Sequence, residues 1–475
     1  MANITTYDAV IVGSGPNGLA AAITLAQTGK SVKVFESKPT IGGGMRTQEL
    51  TLPGYLHDVC SAIHPLGAGS PFFQSLPLHK YGLKWLYPEY ALTHPLDDGS
   101  AVILQKSIQK TAQSLAEDGP AYQQLIKTYV ENWPRMAPDL LGPFSIPKHP
   151  FLMAKFGLQA MQPAQMLAKR TFKGEKGRAL LAGLAAHSIM PLNKPLTSAI
   201  GLVLGVLGHA IGWPLPEGGS QQIAESLGAY LKSLGGEIET GKTIQSLEEL
   251  PSARTVLLDI TPKQLLDIAG KQLPEWYQDK LRSFRYGPGV FKLDIALNGP
   301  VPWKNEECLK AGTVHLGGTM EEIAESEEAM WNGTHHPRPY VLVAQQSLVD
   351  SSRSPENKHA LWAYCHVPSG STEDRTDAII NQIERFAPGF RERILKIHKM
   401  NTADFQSYNP NYIGGDINGG IQDIRQLFTR PTARIVPYST PLKGIYLCSS
   451  STPPGGGVHG MCGYHAAQAA LKSCF

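Results

Sequence analysis

Three glycines spaced Gly13-x-Gly15-x-x-Gly18, with Glu36 eighteen residues further on, form the pattern of a dinucleotide site. Gly13 permits a tight turn, Gly15 lets the backbone approach a pyrophosphate, and Gly18 lets the following helix pack close to the strand. The N-terminus of that helix turns free N–H groups toward phosphate charge. Glu36 stands at the distance that suits a hydrogen bond from a ribose 2′-hydroxyl. A second candidate lies at the far end of the chain, where Pro453-Pro-Gly-Gly-Gly457 precedes Val458 and His459. Reduction of a flavin builds negative charge near N1 and the C2 carbonyl, and a helix N-terminus suits that charge. Gly456, Gly457, Val458 and His459 are therefore candidates for flavin contact, mainly through backbone N–H. A strand-to-helix turn with glycines for packing alone is the other reading.

The elements around these residues carry the argument. The apolar run from Ala9 to Val12 reads as a strand, the Ala- and Leu-rich stretch to Gln27 as a helix, and Val32 to Phe35 as a second strand. Asp97-Asp98-Gly99 between apolar runs signals a hairpin. Residues 107 to about 192 read as helices with proline breaks. The pattern then predicts a helix from Ser220 to Leu234, closed by Gly235-Gly236, with strands over Glu237–Ile244 and Arg254–Ile260. Strand-like alternation follows from Gly287 to Trp303, and further strands at Pro339–Gln346 and His359–Val367. A helix is expected over Asp374–Phe386, and Gly444–Cys448, a PGGG turn and a small-residue helix over Val458–Leu471 end the chain.

At 475 residues the chain exceeds one simple core, so two domains are expected. Net charge is +3 with the cations dispersed, and no nucleic-acid module or aromatic-spaced basic stripe occurs. The six cysteines form no CxxC, which argues against a dithiol or zinc centre and suits a reducing, cytoplasmic compartment. No HExxH or GxSxG is present, and no metal site is expected. The first strand begins too early to leave room for a secretory h-region. Leu196–Trp213 carries no Asp, Glu, Lys or Arg and just reaches membrane-spanning length, but its five interior small or polar breaks make it read as a buried helix.

Several motifs in order raise a resemblance over essentially the whole chain: VIVGSGPNGLAAA, GGGMRT with LPGYLHDVCSAIHP, PEGGSQQIAESL, YGPGVFKLDIAL and PGGGVHGMCGYHAAQAAL. Together they resemble the phytoene-desaturase-like FAD-dependent oxidoreductases, a branch that includes carotenoid desaturases and the pyridine nucleotide-disulfide oxidoreductase domain-containing proteins, with the flavin amine oxidases more distant. The resemblance implies FAD, an α/β fold with a discontinuous Rossmann-like domain, and a mixed α+β substrate domain with a helical insert. The segments would be 1–70, 210–275 and 426–475 for the FAD domain, 71–209 for substrate domain and insert, and 276–425 for the substrate-domain sheet. Gly13, Gly15, Gly18 and Glu36 would hold the ADP half, with Ile244 reading adenine through its backbone amide. Gly43, Gly44 and Arg46 match the second glycine turn near pyrophosphate and flavin; the usual pattern is Gly-Gly-Arg, and here the cation is displaced to Arg46. Where many relatives place an acid for ribitol, this chain has Ser449, Ser450 and Ser451.

Lys292 looks like the substrate-domain lysine of flavin amine oxidases, where a water bridges it to flavin N5. Between Phe291 and Leu293 on a part-buried strand, its pKa would fall and it could handle protons or oxygen; an outward-facing lysine is the alternative. His459 is the second catalytic candidate. His64, Tyr408, Tyr412 and Tyr464 are candidate pocket residues, and His57 and Asp58 follow the second glycine turn. The resemblance implies dehydrogenation of a hydrophobic, polyene- or lipid-like substrate by hydride transfer to N5. Amine oxidation, redox-neutral isomerisation and flavin binding without turnover remain open beside it. Oxygen and a quinone are both candidate electron acceptors. Lys169, Arg170, Lys173, Lys176 and Arg178 beside the apolar stretch 151–168 suggest peripheral membrane contact, with a solvated helix face as the alternative.

Overall fold

The protein is described here by a computed structural model covering residues 7–475. Its first sheet is parallel throughout, in the order Ile445–Leu447, Ala253–Leu258, Tyr7–Val12, Val32–Phe35, Glu237–Glu239. Its strands come from three separate stretches of sequence. Parallel strands joined by helices must be covered on both faces. The helices Pro16–Ala26 and Met461–Cys474 lie together on one face. On the other, Leu265, Tyr277 and Leu281 pack against Val10, Val256 and Leu258. The first and last helices cross so closely that a Cβ on Gly463 would lie 1.8 Å from the Asn17 carbonyl oxygen.

The second sheet has seven strands in the order Ile394–Met400, Gly289–Leu297, His359–Val367, Val341–Ala344, Ala311–Leu316, Tyr90–Pro95, Ala101–Leu104. All of its pairings are antiparallel except that of Ala311–Leu316 with Tyr90–Pro95. One face buries Phe291, Leu293, Ile295 and Val343 against the helix Thr376–Phe386. The helical block from Ile108 to Ala210 stands over the other face. The hairpin expected at Asp97-Asp98-Gly99 joins Tyr90–Pro95 to Ala101–Leu104, with Gly99 at a φ of 83° that favours glycine.

Several expected elements differ in extent, among them the strand expected over Gly287–Trp303, which spans Gly289–Leu297, and that over Pro339–Gln346, which spans Val341–Ala344. The strand after Gly236 spans only Glu237–Glu239, because the chain then turns through Gly241 at φ 72°. The last helix begins at Met461 rather than Val458, because Gly455, Gly457 and Gly460 all adopt positive φ and extend the turn. The charge-free stretch forms the helix Thr197–Ala210, packed inside the fold. A Cβ at Gly201 would sit 3.2 Å from the Ala185 backbone nitrogen and one at Gly208 2.6 Å from Leu104, so its glycines serve close packing. Among the described residues, no helix is long and apolar enough to cross a membrane.

Candidate FAD and substrate site

The carboxyl ends of the parallel strands open into a cavity of about 1140 Å³, above the ~300–1,000 Å³ usual for a single small ligand. One end is built from glycine turns. The strand Tyr7–Val12 delivers Gly13, Ser14 and Gly15, and the short helical turn Gly43–Met45 delivers the second turn beside it. The two touch: a Cβ on Gly43 would lie 3.0 Å from the Gly15 Cα. Gly18 faces away from the cavity, and a Cβ there would fall 2.1 Å from the Gly13 carbonyl oxygen. That is the helix–strand approach its spacing implies.

Glu36 lines this end with both oxygens engaged. Oε2 accepts from the Ser14 N–H at 3.0 Å and hydroxyl at 2.5 Å, and Oε1 accepts from the Lys38 N–H at 2.9 Å. Arg46 pairs with Oε1 at 3.2 Å and donates to Thr40 and to the Gly43 carbonyl. Its guanidinium thus braces the second glycine turn and the Glu36 carboxylate together. Ile244 and the run Gly456–His459 line the same cavity. His459 is buried, and its Nδ1 accepts from the Met461 N–H at 3.0 Å, which leaves the proton on Nε2. Burial pushes its pKa down to about 4, so the ring is neutral.

Tyr408 donates to the Gly43 carbonyl at 2.8 Å, and a Cβ on Gly44 would meet the Tyr412 hydroxyl at 2.2 Å. Both line the cavity by pressing on the second glycine turn. His64 lines it too, fixed to the Ser220 hydroxyl at 2.8 Å. Tyr464 does not: it packs against Phe72 and His465, because the later helix start turns it away from the opening. His57 and Asp58 also lie behind the wall. Asp58 is held by Arg353 at 2.8 Å and by the Ser220 N–H at 2.8 Å, a buried structural pair.

Lys292 is fully buried and lines the cavity. Its Nζ donates to Asp294 Oδ1 at 2.5 Å and lies 5.8 Å from the Trp362 ring centre. Residues two apart on a strand share a face, which brings this pair together. Burial lowers the Lys292 ammonium below its usual pKa against the pull of Asp294. Burial alone would raise Asp294; Lys292, with His398 3.5 Å away and His57 nearby, outweighs it and holds the carboxyl below its ordinary value.

Asp259 was not among the sequence candidates. It follows the strand Ala253–Leu258, and its Oδ2 accepts from the Gly18 N–H at 3.0 Å. A Cβ on Gly15 would meet that oxygen at 2.7 Å. Burial pushes its pKa up to about 7, with Glu36 adding to the rise. The rule that ligands sit at the carboxyl ends of parallel strands points to such an acid, and RTVLLDI carries it. Asn411 ties this turn to the SYNPNY loop, donating to the Asp259 carbonyl at 3.0 Å.

Beyond the glycine turns the cavity becomes an apolar chamber. Its floor is the second sheet, presenting Val290, Leu342, Ala344, Trp362 and Tyr364, and its roof is the helical insert, presenting Phe156, Ile200 and Leu204. Asn17 Oδ1, Thr313 Oγ1 and Trp362 Nε1 line the cavity without any hydrogen-bond partner. Side chains would fill the cradle at Gly15 and Gly43, and the buried Asn17 Oδ1 at the start of the first helix is unpaired, so the residues at this end fit a dinucleotide. Ser449 and Ser451 donate instead to the carbonyls of Ile260 and Gly419, at 2.7 and 2.9 Å.

Residues 11–76 match the NAD(P)-binding Rossmann-like domain family. Along the chain, the protein is 25% identical to pyridine nucleotide-disulfide oxidoreductase domain-containing protein 2 of Rattus norvegicus, over 98% of this chain and 93% of that one. It is 22% identical to carotenoid 3,4-desaturase of Haloarcula japonica, over 99% of each. Among solved structures, a wild-type putrescine oxidase bound to putrescine shares the fold with a TM-score of 0.62, at 18% identity and 98% coverage of each chain. With the glycine cradle and the whole-chain similarities in agreement, the protein is an FAD-type oxidoreductase, similar in sequence to the pyridine nucleotide-disulfide oxidoreductase domain-containing protein and the carotenoid desaturase and in fold to the putrescine oxidase.

Proposed function

We propose that the protein dehydrogenates a carbon–carbon bond of an elongated hydrophobic substrate. The observation that carries this reading is the two-part cavity, a glycine-walled end continuous with an apolar chamber. FAD supplies the hydride acceptor when bound, and the protein supplies position and electrostatics. The first and second glycine turns, Glu36 and Ile244 hold the dinucleotide. The chamber walls exclude water and align the substrate along the sheet. The buried Lys292–Asp294 pair takes up the proton released from the neighbouring carbon: Lys292, whose charge burial disfavours, passes one Nζ proton to Asp294 Oδ1 and receives the substrate proton in its place.

The chamber's composition supports a hydrocarbon over an amine. Glu36 and Asp259 stand at the dinucleotide end, so an amine in the chamber would meet Asp139 alone among the carboxylates of the described lining. The mouth supports delivery from a lipid surface. Phe144 and Phe428 meet edge-to-face there at 5.6 Å and line the cavity, with Ile146, Phe151 and Leu158 exposed nearby in sequence at 94%, 91% and 75%. Apolar side chains in such numbers suit peripheral membrane contact on the cytoplasmic side. The cations chosen from sequence contribute less, since Lys169 faces Glu321 at 3.8 Å and Arg178 donates to the Phe172 carbonyl.

Anaerobic mixing of the purified flavoprotein with a polyene, an acyl lipid and an amine in turn tests the reading. Bleaching of the flavin absorption band by the polyene or lipid is expected. Bleaching by the amine alone would overturn it, and no bleaching would move the assignment to isomerisation or to flavin binding without turnover.

A further inference from the structure

The floor of the chamber is a continuous cross-strand row. Lys292 pairs with Tyr364, Tyr364 with Leu342, and Leu342 with His315. Residues directly opposite across a sheet share one face, and three strand spacings separate the ends of the row by about 14 Å. Lys292 marks one end. At the other end His187, from the helical roof, brings its Nε2 to 3.0 Å from His315 Nε2.

The proton positions in this pair follow from burial. His315 Nδ1 is buried without a partner, as is His94 Nδ1, and both press on Gly183, where a Cβ would fall 2.8 and 3.2 Å from them. An N–H there would be an unpaired buried donor, which costs more than a bare acceptor nitrogen. His315 therefore carries its proton on Nε2 and donates it to His187 Nε2. His187 must then carry its own proton on Nδ1, on the opposite side of the ring. Burial lowers the pKa of His187 to about 3 and that of His94 to about 4, and drives His315 well down, so all three rings are neutral. His187 lines the chamber and is only half-buried, although it lies deep in the protein. Thr313, two residues before His315 and on the same sheet face, lines the chamber with an unpartnered buried hydroxyl.

We infer that His187 and Thr313 form a hydrogen-bonding site for an oxygen atom of the substrate, so the preferred substrate is an apolar chain carrying a carbonyl or hydroxyl oxygen roughly 14 Å along the chamber from Lys292. The inference rests on the apolar-substrate reading above and adds to it the polar group that sets specificity. Trp213 stands 5.9 Å from His187, so its emission reports ligands arriving there.

The test is equilibrium titration of the FAD-loaded protein with dodecene, dodecanol and dodecanone, followed by tryptophan fluorescence. Wild type should bind dodecanone about 5–10-fold more tightly than dodecene, the value of one net hydrogen bond. His187→Phe should abolish that preference and leave dodecene binding within about twofold. Thr313→Val, nearly isosteric, should reduce it while retaining FAD, which covers the case in which His187→Phe fails to fold. Dodecanol ranking with dodecanone extends the site to hydroxyl oxygens, and ranking with dodecene restricts it to carbonyls; either order supports the inference. Equal binding of dodecene and dodecanone by wild type, or an unchanged preference in both variants, overturns it while the apolar chamber stands. Failure of all three to bind overturns both this inference and the substrate reading.

Discussion

Lys292 Nζ lies 2.5 Å from Asp294 Oδ1, both side chains fully buried on one face of one strand. The lysine at the floor of the chamber is therefore half of an ion pair. Breaking a buried pair by removing one partner strands the other charge, which costs about 3–5 kcal/mol, whereas removing both costs far less. Lys292→Met and Asp294→Asn should each lower stability strongly, and the double variant should recover most of the loss. Urea unfolding of the four proteins would measure the coupling, expected at about 2–3 kcal/mol. Additive losses would show that the two side chains act independently.

Gly15 and Gly18 should fail in different ways. A Cβ at Gly18 strikes the Gly13 backbone at 2.1 Å, so Gly18→Ala should loosen the first helix from its strand and lower the melting temperature as well as FAD content. At Gly15 the obstacle is the Asp259 carboxylate at 2.7 Å, in the lining of the cofactor end. Gly15→Val should lose FAD at gel filtration while keeping a cooperative thermal transition. Flavin absorbance and circular dichroism of both variants check the distinction.

Acid should destabilise the protein well above the usual carboxylate range. Burial lowers His57, His64, His94, His209 and His459 from 6.5 to about 4. The unfolded chain binds protons at these sites first, so stability falls as pH drops through 6.5 toward 4, by on the order of 1–2 kcal/mol per histidine between pH 6.5 and 5. Asp259, raised to about 7, acts in the opposite sense, because the folded state takes up its proton first. Five groups outweigh one, and the urea midpoint should decline steeply from pH 7 to pH 5. A flat profile over that range would show that the histidines are not buried in the neutral form.

Contact with lipid should depend on the exposed apolar side chains outside the cavity lining. Each of Ile146 and Phe151 would transfer about 1.5–3 kcal/mol of apolar surface on insertion. The double variant Ile146→Ser, Phe151→Ser should reduce flotation with anionic vesicles more than tenfold. Replacing Lys169 and Arg170 by Gln should change it less. The reverse ranking would return the contact to the basic residues.

The sequence by itself determined the parts whose chemistry is local. GSGPNG between an apolar strand and a small-residue helix permits one geometry, and the structure builds Gly13, Gly15 and Gly18 into it as the spacing requires. The Asp-Gly hairpin and the burial of the charge-free helix were equally legible, because turn chemistry and glycine spacing act over a few residues. Only the tertiary structure decided which residues share the site. Asp259 lies more than two hundred positions from Gly15 and reaches it because the sheet places their strands side by side. Asp294 was within reach of a two-residue periodicity, but whether that strand face was buried depended on the helical roof. The start of the last helix was set by three positive-φ glycines, and that shift moved Tyr464 out of the lining. The row from Lys292 to His315 spans four strands whose order follows from long-range pairing, to which periodicity along the chain is blind.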